Sequence, residues 1–188
     1  MKSLCFMLSL VLLSSATVGF AQTDAKKPVV QSDAQKSFDT IKTLAGIWTA
    51  KLTLDPPMPG MNDKETPGEV SIRVTSRGNA LVHEMYAVGV PDDPTRYDHP
   101  VTLLFMDGNQ LNLIHYCDAG NRPRMTGKMS SDAKTVDFEL KDISGSTEYH
   151  MHHAVFTVID ANHHTEDWTY MMPGDKPMHA HFDLQRKN

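Results

Sequence analysis

His164, Glu166, Trp168 and Tyr170 recur at every second position, placing an imidazole, a carboxylate, an indole and a phenol on one side of an extended strand. If Trp168 is buried, His164 and Glu166 face inward with it. A buried carboxylate must then be paired, hydrogen-bonded or protonated. A second stretch, LNLIHYC, alternates Leu111, Leu113, His115 and Cys117 against Asn112, Ile114 and Tyr116. If the leucine face is the inner one, His115 and Cys117 go inward. Together the two stretches predict an internal polar network joining Glu166 to His115 or Arg124. Such a network either receives the polar end of a bound molecule or is purely structural. In the other reading Glu166 lies past the rim, in solvent.

Other residue types point to weaker possibilities. His115 and Cys117 are two apart on one strand, hence about 7 Å apart at the backbone, which is poor for a thiol–imidazole dyad. No nucleophile elbow, zinc-protease, phosphate-loop or dinucleotide motif occurs, so catalysis is not expected. The chain carries 10 histidines. His150 and His152 share one side of a strand, a geometry suited to zinc or copper, but no third ligand is assigned. Met171, Met172 and Met178 beside His179 and His181 would suit copper(I), and Met58 and Met61 add thioethers in another loop. The plainer reading is a set of flexible methionines lining an adaptable apolar mouth. His83 lies on a strand apolar on both sides (Leu81, Met85 and Ala87 against Val82, Tyr86 and Val88), so alternation does not settle its direction. Arg124 in a mouth would grip a carboxylate or phosphate, although Met125 and Met129 as the core face turn it outward.

The elements that must hold these groups can be read in order. Ser32 caps a short amphipathic helix carrying Phe38, Ile41 and Leu44, and Gly46 stops it. Ten strands follow, roughly 47–54, 69–76, 80–88, 101–106, 110–117, 122–129, 134–141, 147–159, 163–171 and 177–186. Gly, Asn, Asp, Ser and Pro turns separate them. Every second connection is tight (77–79, 107–109, 130–133 and 160–162). The others include the two long ones, 55–68 and 89–100. In an up-and-down meander this closes one end with turns and leaves a looped mouth at the other, the form of a small ligand-holding barrel. The predicted fold is all-β, a roughly ten-stranded antiparallel up-and-down barrel with the N-terminal helix closing one end.

Composition narrows the function. Residues 1–21 read as a secretory signal, with Lys2, the apolar run Leu4–Leu13 and a Gly19-Phe20-Ala21 cleavage site. Residues 22–31 read as a flexible lead-in, and 32–188 as a single domain. Cys117 is the one cysteine after the leader, so the expected exported protein has no internal disulfide. A net charge of −5 for the whole chain, with no basic patch, argues against nucleic acid and anionic membrane surfaces. No later segment is long and apolar enough to cross a bilayer as a helix.

Leu44-Ala45-Gly46-Ile47-Trp48 forms an L-x-G-x-W motif at the start of the first strand. It resembles the opening of calycin-type barrels, and the strand count is closer to fatty-acid-binding and nitrobindin-like barrels than to eight-stranded lipocalins. The chain is also similar to bacterial exported lipocalin-like proteins of unknown function. These share an HYC-x-x-GN-x-PRM stretch, matched by His115 to Met125, a tryptophan matched by Trp168, and a basic end to the last strand matched by Arg186. The resemblance implies a ligand-binding barrel without naming a ligand. Nitrobindin-like barrels hold haem through a histidine near the last strand. Here Met178, Ala180, Phe182 and Leu184 take the core face and turn His179 and His181 outward.

The expectation is therefore an exported, non-catalytic, periplasmic or secreted barrel that binds a small hydrophobic or amphipathic molecule. Its expected ligand-binding set is His115, Cys117, Glu166, Trp168, Trp48, His83 and Arg124, with Trp48 near the closed end. No cofactor is required. A haem- or copper/zinc-binding protein is the alternative, and a ligand-free interaction module a third. Nothing in the sequence sets an oligomeric state.

Overall fold

The computed structural model describes residues 31–58, 68–91, 93 and 95–187. Residues 1–21, read above as a signal peptide, nearly all of the lead-in and Met61 lie outside the described residues. Helix α1 spans Asp33–Lys42, and its first turn is capped where the Ser32 hydroxyl accepts from the Gln35 amide at 3.2 Å. Its apolar side buries Phe38 and Ile41, and Leu44 follows them inward past its end.

Ten strands form the wall: β1 (Gly46–Asp55), β2 (Gly68–Thr75), β3 (Ala80–Ala87), β4 (Val101–Asp107), β5 (Gln110–Tyr116), β6 (Arg122–Met129), β7 (Thr135–Ser144), β8 (His150–Asp160), β9 (His163–Met172) and β10 (Lys176–Arg186). Each pairs antiparallel with its sequence neighbour, and β10 pairs back onto β1 to close the barrel. The predicted strands all occur, with ends moved by a few residues.

Alternation works as the sequence implies. On β1, Trp48, Ala50 and Leu54 are buried while Thr49, Lys51 and Thr53 face water. Inward residues from β3, β4, β5, β7 and β10 (Leu81, Leu104, Leu111, Val136 and Leu184) are fully buried at the tight-turn end. The α1 side chains join this core. Gly127 of β6 makes room there. A Cβ at this position would lie 2.6 Å from a ring carbon of Phe138, so the ring occupies the space that a side chain would take.

Arg186 fastens the seam at the same end. Its guanidinium donates to the carbonyls of Ala161 at 2.7 Å, Ala45 at 2.8 Å and Thr43 at 3.1 Å, and it stacks 4.1 Å over the Trp48 ring. The Trp48 indole N–H donates to the Leu44 carbonyl at 2.8 Å, locking the first strand to the segment after α1.

Candidate functional site

Strand β9 points His164, Glu166 and Trp168 into the lumen, as its alternation predicts, and Glu166 has no exposed surface. Four donor contacts converge on its carboxylate. His83 Nε2 of β3 lies 3.1 Å from each oxygen, His164 Nε2 3.1 Å from Oε1, and the Trp168 indole N–H donates to Oε2 at 3.0 Å. His164 and Trp168 flank Glu166 at i−2 and i+2 on its own strand, so the strand itself supplies two of the partners. His83 comes from elsewhere. Strands β10, β1 and β2 stand between β9 and β3 on the shorter way round the wall, so the His83–Glu166 pair is a strut across the lumen.

Burial raises the Glu166 proton affinity. The His83 charge and the hydrogen bonds from His164 and His83 outweigh it and bring the pKa down to about 2. The carboxylate is therefore ionised.

A second buried row runs sideways from the strut. His83 pairs with Thr102 across β3 and β4, and Thr102 with His115 across β4 and β5. Thr102 Oγ1 and His115 Nδ1 are hydrogen-bonded at 2.9 Å. Burial first, and then the His83 charge, bring the His115 pKa down to about 3, so this imidazole is neutral. The His83 and His115 rings both lie against the Trp168 indole, with centroids at 5.7 and 5.3 Å. Each contact uses one ring nitrogen. His83 Nδ1, His164 Nδ1 and His115 Nε2 are left buried with no partner.

Toward the long loops the lumen changes character. Leu52, Met85, Tyr170 and Phe182 are inward by strand alternation, yet all four are only half-buried. These four inward side chains therefore keep part of their surface accessible at this end. Ala50 and Ala180 fill little of the wall beside them. Tyr170 stacks on Tyr149 with ring centroids 5.8 Å apart, and burial pushes both phenols up, Tyr149 to about 12.

The expected site residues divide accordingly. His115, His83, Glu166 and Trp168 come together. Glu166 does not bond to His115 or Arg124, as the sequence suggested, because His83 and His164 reach it first. Trp48 lies two inward positions below Leu52, the β1 residue in register with Glu166 through Phe182, is edge-on to His164 at 4.2 Å, and belongs to the floor. Arg124 is outside the barrel. A bulge in the β6–β7 pairing sets it opposite Asp142, and its Nη2 donates to that carboxylate at 2.5 Å.

Cys117 does not continue the inner face of β5. The strand ends at Tyr116, and the Cys117 carbonyl accepts from the Gly120 amide at 3.2 Å to form the turn. The thiol is half-buried in a cleft of about 450 Å³ outside the wall, where Asp98, Cys117 and Asp118 bring three ligand atoms together. Burial holds the Cys117 thiol above its usual range.

The histidine pairs do not build a larger site. A bulge at β8 ends the simple alternation, turning Met151 and Ala154 inward and leaving His152 exposed. His150 Nε2 and His152 Nδ1 still approach to 3.3 Å, but among the described residues no third ligand joins them. His179 and His181 face outward, bonded to Thr169 and Asp167 at 3.1 and 2.6 Å, so the last strand presents no imidazole to the lumen.

Sequence reasoning named no role for Thr102, whose strand V-T-L-L-F is too apolar to mark its threonine. His164 was legible as inward but not as a partner of Glu166.

No protein-family model and no curated protein matches the chain. Among solved structures, the M. tuberculosis protein Rv2717c superposes at a TM-score of 0.55, covering 81% of this chain and 98% of its own, at 14% identity. This likeness shows a shared fold. A DUF3598-family protein of unknown function from Nostoc punctiforme covers 84% of this chain and 100% of its own at 7% identity, but its TM-score of 0.25 carries no argument about fold.

Proposed function

We propose that this protein is an exported, non-catalytic, lipocalin-like carrier of a small, mostly apolar molecule, held in the lumen between the strut and the long loops. The observation that carries this reading is the partial exposure of four inward side chains, Leu52, Met85, Tyr170 and Phe182, beside and above a polar layer that is fully buried. A ligand lying on these apolar side chains would gain roughly 2.5 kcal/mol for each 100 Å² of its apolar surface removed from water. Association and ordering costs reduce the net affinity.

The polar layer suits recognition better than catalysis. Every contact position on Glu166 is occupied, and neither His83 Nδ1 nor His115 Nε2 has a hydroxyl or thiol on it to activate. Export rests on the leader-like residues 1–21.

Native mass spectrometry of residues 22–188 as purified tests the carrier reading. A retained lipophile, or stoichiometric uptake of an added C8–C12 amphiphile that is lost in Met85→Trp, is the expected result. Failure to retain or acquire any such molecule would overturn it.

A further inference from the structure

The charge inventory of the lumen bears on which amphiphile it takes. Among the described residues its one carboxylate, Glu166, is ionised, faces the His83 charge and is saturated by His83, His164 and Trp168. Among the described residues no lysine or arginine stands over the strut to receive a second anion. Arg124 is outside on Asp142, Arg186 is below Trp48 with its donors on three carbonyls, and Lys187 lies on Glu69. What the chamber does offer is imidazole nitrogens without partners, on His83 and His115, both held against Trp168. A buried polar atom left unpaired costs about 1–3 kcal/mol, so a ligand group that pairs with it gains selectivity.

We propose that the lumen selects an uncharged, hydroxyl-bearing amphiphile and rejects the corresponding carboxylate, its hydroxyl bonding at His115 Nε2 or His83 Nδ1 with the chain running up past Met85 and Phe182. This rests on the carrier reading above and specifies its ligand class.

The chemistry is asymmetric in the hydroxyl's favour. A hydroxyl both donates and accepts, so it serves an imidazole nitrogen whether that atom is bare or carries the proton. A carboxylate only accepts. It pairs with a ring nitrogen only where that nitrogen carries the proton, and it would add a second negative charge close to Glu166, whose own charge already engages His83, in a water-poor interior where like charges repel strongly. An amine cannot reach Glu166, whose oxygens are already taken.

The test is calorimetric titration of residues 22–188 with 1-decanol and with decanoate at neutral pH, where decanoate is ionised. The expected result is that decanol binds at least about tenfold more tightly, the factor that one well-placed hydrogen bond supplies. Equal or tighter binding of decanoate would overturn the selectivity and leave the carrier reading standing. Binding of neither would overturn both. In His115→Leu, decanol affinity falls about tenfold if this nitrogen takes the hydroxyl. Should affinity hold there, His83→Leu must show the loss, and no loss in either variant overturns the placement of the head group. If neither variant folds, the wild-type alcohol-to-acid ratio still decides the selectivity.

Discussion

The two ends of the barrel are built from the same strands, yet they are covered to different degrees. At the tight-turn end, Leu81, Leu104, Leu111 and Leu184 interlock with Trp48 and the helix residues Phe38 and Ile41, and all are buried. At the long-loop end, Leu52, Met85, Tyr170 and Phe182 point inward but keep contact with solvent. The boundary between them is the layer of His83, Glu166, His164 and Trp168. Alternation, broken only at bulges and strand ends, decides which described side chains face the lumen, while side-chain size, the helix and the strut decide how tightly it is filled.

The largest test of this contrast is to remove the boundary. Glu166→Leu leaves His83, His164 and Trp168 without their acceptor, and the expected loss is about 3–5 kcal/mol in urea unfolding. A wild-type unfolding curve would show that the strut holds nothing together.

Next comes a matched pair of truncations. Leu104→Ala at the tight-turn end is expected to cost about 2–5 kcal/mol, because it leaves a cavity in a packed core. Met85→Ala at the long-loop end is expected to cost under about 1 kcal/mol and to weaken ligand uptake instead. Equal costs in denaturant unfolding would mean that both ends are packed alike.

Acid should act on the boundary in two stages. His115 has its folded pKa lowered from 6.5 to about 3, so the unfolded chain takes up this proton first as pH falls. Its contribution is complete above pH 6.5 and is lost progressively toward pH 3. Glu166 is lowered from 4.5 to about 2, and its contribution, about 3 kcal/mol, is present above pH 4.5 and disappears as pH falls to 2. Stability measured against pH should thus decline in two steps, and His115→Leu should flatten the decline between pH 6.5 and 4.5 while leaving the lower one. An unchanged slope in that variant would assign the titration elsewhere.

The smallest effect is expected at Arg124. Arg124→Ala breaks a solvent-exposed pair with Asp142, worth about 0–1 kcal/mol, and should leave ligand uptake unaltered. A loss of uptake would bring this arginine into the site.

How much of this was legible in the sequence follows from how far each signal reaches. Strand number, turn positions and the split between tight and long connections are local, and they were readable. So was the inward direction of His115, Glu166 and Trp168, since alternation is a property of one strand at a time. The partner of Glu166 was not, because His83 comes from a strand 83 positions earlier and its own alternation was apolar on both sides. Cys117 and His152 mislead for a shared reason. Each sits where regular alternation stops, one at a strand end and the other at a bulge, and neither break has a strong mark in the residues themselves. Arg124 illustrates the reverse: the flanking methionines correctly turned it outward, away from the role its chemistry suggested.

The pairing of β1 with β10 also bears on how the chain is made. A polypeptide growing from its N-terminus presents β1 early, but the edge of that strand has no neighbour until residues as late as Arg186 have left the ribosome. Throughout synthesis, and through any passage across a membrane, an open sheet with two sticky edges would invite pairing with other chains. Closing the ring with the last strand delays the native state until the whole domain is available.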